Sequence, residues 1–353
     1  MSETFIEALK RKEKEFGEFR HGSLDVSELD LGIGFSEFLR EALGIPGRED
    51  VDCVLASSNG LQEQHIAEGI FPESVSKLDL SDNRFGRVPR TVLRLHNLKE
   101  LTLANNNREE NGLIDTLCDS EFPNLLSLDI SGNCIQALPE NFSKAFPRLR
   151  SLSAARNKLT SLPATVGRLE LEELFLSGNP LGPQLPTIIT ELRSLKSLGL
   201  ASCQIELLHE ELENLEQLRS LALMMNDFGD FPNIVTRLKS LRRLDLSRTN
   251  LKQIPEEISE LTSLEEIYIA GNELKELPVT MGTMTSLKKL DISNNGSIIA
   301  IPPGFTELRL EHLAYDSAIE ASPASANERG AKMSVAQYYR NRRIIKPFSC
   351  SII

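Results

Sequence analysis

Apolar residues return along this chain at a fixed step. Leu241, Leu244, Leu246, Leu251, Ile254 and Pro255 are matched by Leu264, Ile267, Ile269, Leu274, Leu277 and Pro278, a shift of 264 − 241 = 23 positions. Such a period marks a repeat solenoid, whose units bury their apolar faces only by stacking on one another. Coils start at Val51, Val75, Leu98, Leu125, Leu149, Leu171, Leu195, Leu218, Leu241, Leu264, Leu287 and Leu310, about twelve in all. Stacked coils form one continuous domain of any length, so 353 residues need not divide into several.

Each clear coil reads LxxLxLxxNxLxxLP. The alternation Leu-x-Leu has the period of a strand and turns both leucines inward, so consecutive coils predict a parallel sheet. An asparagine follows at Asn59, Asn83, Asn106, Asn133, Asn157, Asn179, Asn226, Asn272 and Asn295, with Cys203 and Thr249 as small stand-ins. Its amide suits the backbone groups that stacking hides from water. After the proline come the pairs Val235/Leu238, Ile258/Leu261 and Met281/Met284, whose spacing predicts short helical or 3₁₀ segments. The methionine pair is therefore core.

This pattern resembles the leucine-rich repeat family from about Val51 to Tyr315. The resemblance implies an α/β, right-handed solenoid shaped as a horseshoe. Its parallel sheet lines the concave face, and short helices or 3₁₀ turns form the convex one. Residues 1–50 are expected to be an N-terminal helical cap, since Phe16/Phe19 and then Phe35, Phe38, Leu39 and Leu43 recur at helical spacing. Repeats are expected over 51–316, a loop and capping helix over 317–343, and a basic tail over 344–353. The coil from Leu98 is longer than the rest, with an irregular stretch at 107–124 that predicts either a longer convex helix or a protruding loop. The stretch 294–303 carries one extra residue, read as a bulge.

Composition narrows the function. A net charge of −12 argues against nucleic acid, whose phosphates require a basic footprint. Nucleotide-binding glycine loops, HExxH and the nucleophile elbow are missing, and the five histidines are scattered. The expectation is a non-enzymatic chain with no catalytic residue, no metal and no cofactor. Cys53, Cys118, Cys134, Cys203 and Cys350 form no CxxC pair and no cluster at the repeat ends, which points to a reduced, intracellular chain. The N-terminus has no apolar signal stretch.

Two features remain for binding. Residues between the inner leucines and just past the strand face solvent, and in the central coils they include Phe175, Met224, Met225 and Tyr268 beside Arg156 and Arg248. Aromatic, methionine and arginine side chains are the usual anchors of protein interfaces, so this set is the expected protein-binding patch. The chain ends Cys350-Ser-Ile-Ile, which fits a prenylation box and implies a prenyltransferase as partner. Arg340, Arg342, Arg343 and Lys346 precede it with no acid among them, a set suited to an anionic membrane surface.

Together these predict a monomeric interaction scaffold in signal transduction, lipid-anchored on the cytoplasmic face of a membrane, with a protein partner on the concave sheet. The LPxxL spacing resembles Ras-suppressor-like proteins associated with small GTPases. A ubiquitin-ligase substrate adaptor, a phosphatase regulatory subunit and a pathogen effector using host prenylation stay open as alternatives.

Overall fold

The computed structural model describes residues 22–44, 50–106, 112–296, 301–302 and 304–316. These fall into two units, divided after Asn179. Each is a leucine-rich repeat solenoid with parallel strands on one side and short helical turns on the other. The first contains β1 (Ser23–Asp25), β2 (Cys53–Leu55), β3 (Lys77–Asp79), β4 (Glu100–Thr102), β5 (Ser127–Asp129), β6 (Ser151–Ser153) and β7 (Glu173–Phe175). The second contains β8 (Ser197–Gly199), β9 (Ser220–Ala222), β10 (Arg243–Asp245), β11 (Glu266–Tyr268), β12 (Lys289–Asp291) and β13 (His312–Ala314).

Within each unit the strands pair in chain order and in strict register. Leu244 stands beside Leu221 and Ile267, so the middle residue of each strand feeds one apolar column. Leu241, Leu244, Leu246 and Leu251 are all 0% exposed. Burying such a side chain stabilises by about 1.5–3 kcal/mol, and the repeat multiplies the gain. The prolines close each coil. Pro232, Pro255 and Pro278 start 3₁₀ segments at Asn233–Arg237, Glu256–Glu260 and Val279–Thr283, which bury Val235, Ile258 and Met281 as the spacing predicts. A fixed proline φ suits that entry, and its carbonyl accepts the first bond, as from Ile258 N at 3.2 Å.

The asparagine ladder closes the backbone accounts. Asn272 Nδ2 donates to the carbonyls of Leu246 and Ile269, both at 2.9 Å. Its Oδ1 accepts from the amides of Thr249 at 2.9 Å and Leu251 at 3.1 Å. One side chain thus ties its own coil to the preceding one. Thr249 donates its hydroxyl to the Leu246 carbonyl at 2.6 Å, and Cys203 its thiol to the Ala201 carbonyl at 3.5 Å, so both stand-ins are structural.

At the N-terminal end the sheet reaches further than the sequence indicates. Helix α1 (Phe35–Leu43) buries Phe35, Phe38, Leu39 and Ala42. Before it, β1 pairs with β2, and the Leu29 and Leu31 amides donate to Asn59 Oδ1. Residues 22–44 are therefore a full coil ending in a helix, not a helix alone. The degenerate sequence Ser23-Leu24-Asp25-Val26 lacks the ladder asparagine that would have marked it. The long coil holds helix α2 (Gly112–Cys118), which buries Leu113, Ile114 and Leu117; residues 107–111 lie outside the described set.

Candidate functional site

The first and third residues of each strand flank the buried middle one and form the strand-side face. In the second unit this face changes character from one strand to the next. β8 and β9 offer Ser197, Gly199, Ser220 and Ala222, a flat floor of small residues. β10 to β12 offer Arg243, Glu266 and Lys289 in one row, with Asp245, Tyr268 and Asp291 beside them in the next.

The charged row is tied together. Glu266 pairs with Arg243 at 2.6 Å and with Lys289 at 2.7 Å, and accepts the Tyr268 hydroxyl at 2.9 Å. The Arg243 guanidinium lies over the Tyr268 ring, 4.6 Å from its centroid. Burial pulls the Glu266 carboxyl upward, but the bonds from Lys289 and Tyr268 and the charge of Arg243 outweigh it and hold it below its usual range. Burial, and then the bond to Glu266, push the Tyr268 phenol far up, so it stays a neutral donor. Asp245 is 2% exposed, and burial raises its carboxyl despite the Ser247 amide it accepts.

The residues expected to bind divide between the units. Arg156 and Phe175 belong to the first, the former exposed and the latter half-buried. Met224, Met225 and Arg248 belong to the second, where Met225 is 45% exposed and Arg248 is exposed. Tyr268 requires a correction. It sits on the strand-side face as expected, but it is only 4% exposed, because Arg243 covers its ring and Glu266 takes its hydroxyl. It acts as a fixed platform rather than a projecting anchor. Arg243, Glu266 and Lys289 were not among the expected residues, which came from the position between the inner leucines and from those just past the strand. The same period of two puts the residue before the first inner leucine on this face.

The Asp-x-Ser pairs are scaffold. Asp25, Asp79, Asp129, Asp245 and Asp291 each accept the amide of the serine two residues on, at 2.9–3.0 Å. Cys350 and the basic residues Arg340, Arg342, Arg343 and Lys346 lie outside the described residues, as do 317–343.

Comparison with known proteins agrees with this architecture. A model described as leucine-rich repeat region matches residues 231–330, and one described as leucine rich repeat matches 115–181. Human vasorin is 36% identical over 132 residues, which cover 36% of this chain and 19% of vasorin. Chicken tsukushi is 29% identical over 159 residues, covering 45% of this chain and 42% of tsukushi. The chain thus spans less than half the length of these relatives. The plant peptide hormone receptor RGFR1, solved in complex with RGF2, shares the fold with a TM-score of 0.52 at 21% identity, over 83% of this chain and 50% of the receptor chain.

The sequence relatives overturn the expected cytoplasmic, lipid-anchored placement, because vasorin and tsukushi are extracellular proteins. Cysteine placement does not mark the compartment of this chain. Cys118 and Cys203 are in no disulfide bond and are buried, and burial pushes the Cys118 thiol up to about 12. Such thiols are unreactive wherever the protein resides.

Proposed function

We propose that this chain, a member of the leucine-rich repeat family, is a non-enzymatic binding protein in signalling that takes a protein or peptide ligand on the strand-side face of its second unit. Leucine-rich repeat proteins are typically binding proteins without catalytic activity. The observation that carries the reading is the contrast within one face. A flat floor at Gly199 and Ala222 borders the half-buried Met224 and exposed Met225, and a locked polar platform of Arg243, Glu266, Lys289 and Tyr268 follows. Small residues let a partner backbone approach, methionine adapts to its side chains, and ion pairs fixed before binding lose little entropy on complex formation. RGFR1 holds RGF2 on the same fold, which favours a peptide or small protein as ligand class.

Photo-crosslinking tests the reading. A benzoyl-phenylalanine at Met224 is expected to capture a ligand that the same group at the exposed, helix-side Val279 does not. Equal capture from both positions contradicts it.

A further inference from the structure

Just past each of β1 to β12, the residue before the ladder position has a left-handed backbone. In the second unit these are Ser202, Met225, Arg248, Gly271 and Asn294, with φ of 54°, 58°, 55°, 68° and 57°. Glycine and asparagine accept this conformation most readily, and long side chains rarely adopt it. The scaffold alone would therefore favour glycine or asparagine in every coil, as at Gly271 and Asn294. Met225 and Arg248 hold the same conformation with long side chains. Both are exposed, and among the described residues the Arg248 guanidinium has no ion-pair or side-chain partner, in a chain of net charge −12. Asp227, two residues on from Met225, is taken by Asn250 Nδ2 at 2.7 Å. Most coils carry a short residue at this left-handed position, so the two long side chains reach outward from it.

The stem of Arg248 also has a prepared bed. A Cβ at position 271 would stand 2.9 Å from Arg248 Cγ, so only glycine lets the arginine lie across the next coil. The same device occurs in the first unit, where Arg156, at φ 53°, lies against Gly178. Met225 is steadied on its other side by Ser202, whose hydroxyl donates to Sδ at 3.4 Å.

We infer that Met225 and Arg248, on neighbouring coils, form a recognition corner for a partner segment that presents a carboxylate next to an apolar side chain. The guanidinium takes the carboxylate as a charge-assisted, bidentate pair, and the thioether takes the apolar group. This inference rests on the proposed ligand face and names the chemistry of what its edge receives.

The chain has six methionines, and Met281 and Met284 are buried, so methyl-labelled methionine spectra read the corner with internal controls. The probes are a capped heptapeptide with one glutamate between two leucines in a glycine–serine frame, and its glutamine twin. The glutamate peptide is expected to shift the Met225 signal saturably and at least about tenfold more tightly than the glutamine peptide, leaving Met281 unmoved. With Arg248→Gln, an exposed change, its binding is expected to fall to the glutamine level. Equal binding of both peptides, or unchanged binding to Arg248→Gln, overturns the carboxylate inference while the ligand face stands. No shift at Met225 also overturns the corner. The face itself fails separately, on equal crosslinking from Met224 and Val279.

Discussion

Arg243 covers Tyr268, with the guanidinium carbon 4.6 Å from the ring centroid, and it pairs at the same time with Glu266 at 2.6 Å. This contact explains how an aromatic residue on an outward face comes to be 4% exposed. Arg243→Ala is expected to expose the ring and cost about 1 kcal/mol, the usual worth of a partly desolvated cation–π contact. Arg243→Lys keeps the charge but not the planar stack, so it restores the ion pair only. With no tryptophan and four tyrosines in the chain, second-derivative tyrosine absorbance compared with Tyr268→Phe isolates the Tyr268 ring, and urea unfolding gives the stability.

Asp245 gives a pH dependence with a definite sign. Its carboxyl is raised above 3.8 in the folded protein because burial penalises the charged form. The folded state therefore binds the proton more tightly than the unfolded chain, and stability falls as pH rises through the folded value. Asp245→Asn removes the charge while its amide oxygen still accepts the Ser247 amide. The variant is expected to melt higher than wild type at pH 7, with the gap closing below about pH 3.8. A gap that persists in acid would contradict the burial account.

Asn272 tests the ladder. Asn272→Ala strands two carbonyls and two amides in the core, and is expected to cost at least about 3 kcal/mol. Asn272→Thr is expected to cost clearly less, because Thr249 shows that one hydroxyl serves this position. Denaturant midpoints for the two variants decide the order.

Gly271→Ala adds a side chain in a left-handed conformation, costing about 1–2 kcal/mol, and meets the Arg248 stem. In an Arg248→Ala background the second part disappears. A double-mutant cycle by thermal unfolding is expected to show the second substitution softened by the first; strict additivity would mean the stem does not lie on the glycine.

The scaffold was readable because each repeated residue performs one physical task. Leu244, Asn272, Pro255 and Met281 sit where period, amide chemistry, fixed φ and helical spacing put them. The coil at 22–44 was hidden because it lacks its asparagine. The binding face was half legible. Met224, Met225 and Arg248 are expected there by residue type, but the fate of Tyr268 depends on Arg243, one coil earlier. Such contacts between coils carry no signal within a single repeat. The left-handed backbone beneath Arg156, Met225 and Arg248 was equally silent, because arginine and methionine do not announce it as glycine does. Placement in the cell was misread because the lack of a cysteine cluster at the repeat ends was taken as a mark of compartment, whereas Cys118 and Cys203 are simply buried core residues.

Hydrogen exchange on the complex with the crosslinked ligand tests the ligand face most directly. The account predicts slowed exchange at Ser220–Met225 and Arg243–Arg248, with the helical turns Asn233–Arg237 and Glu256–Glu260 unchanged. Protection confined to those turns, with the two strand segments unaffected, would contradict it.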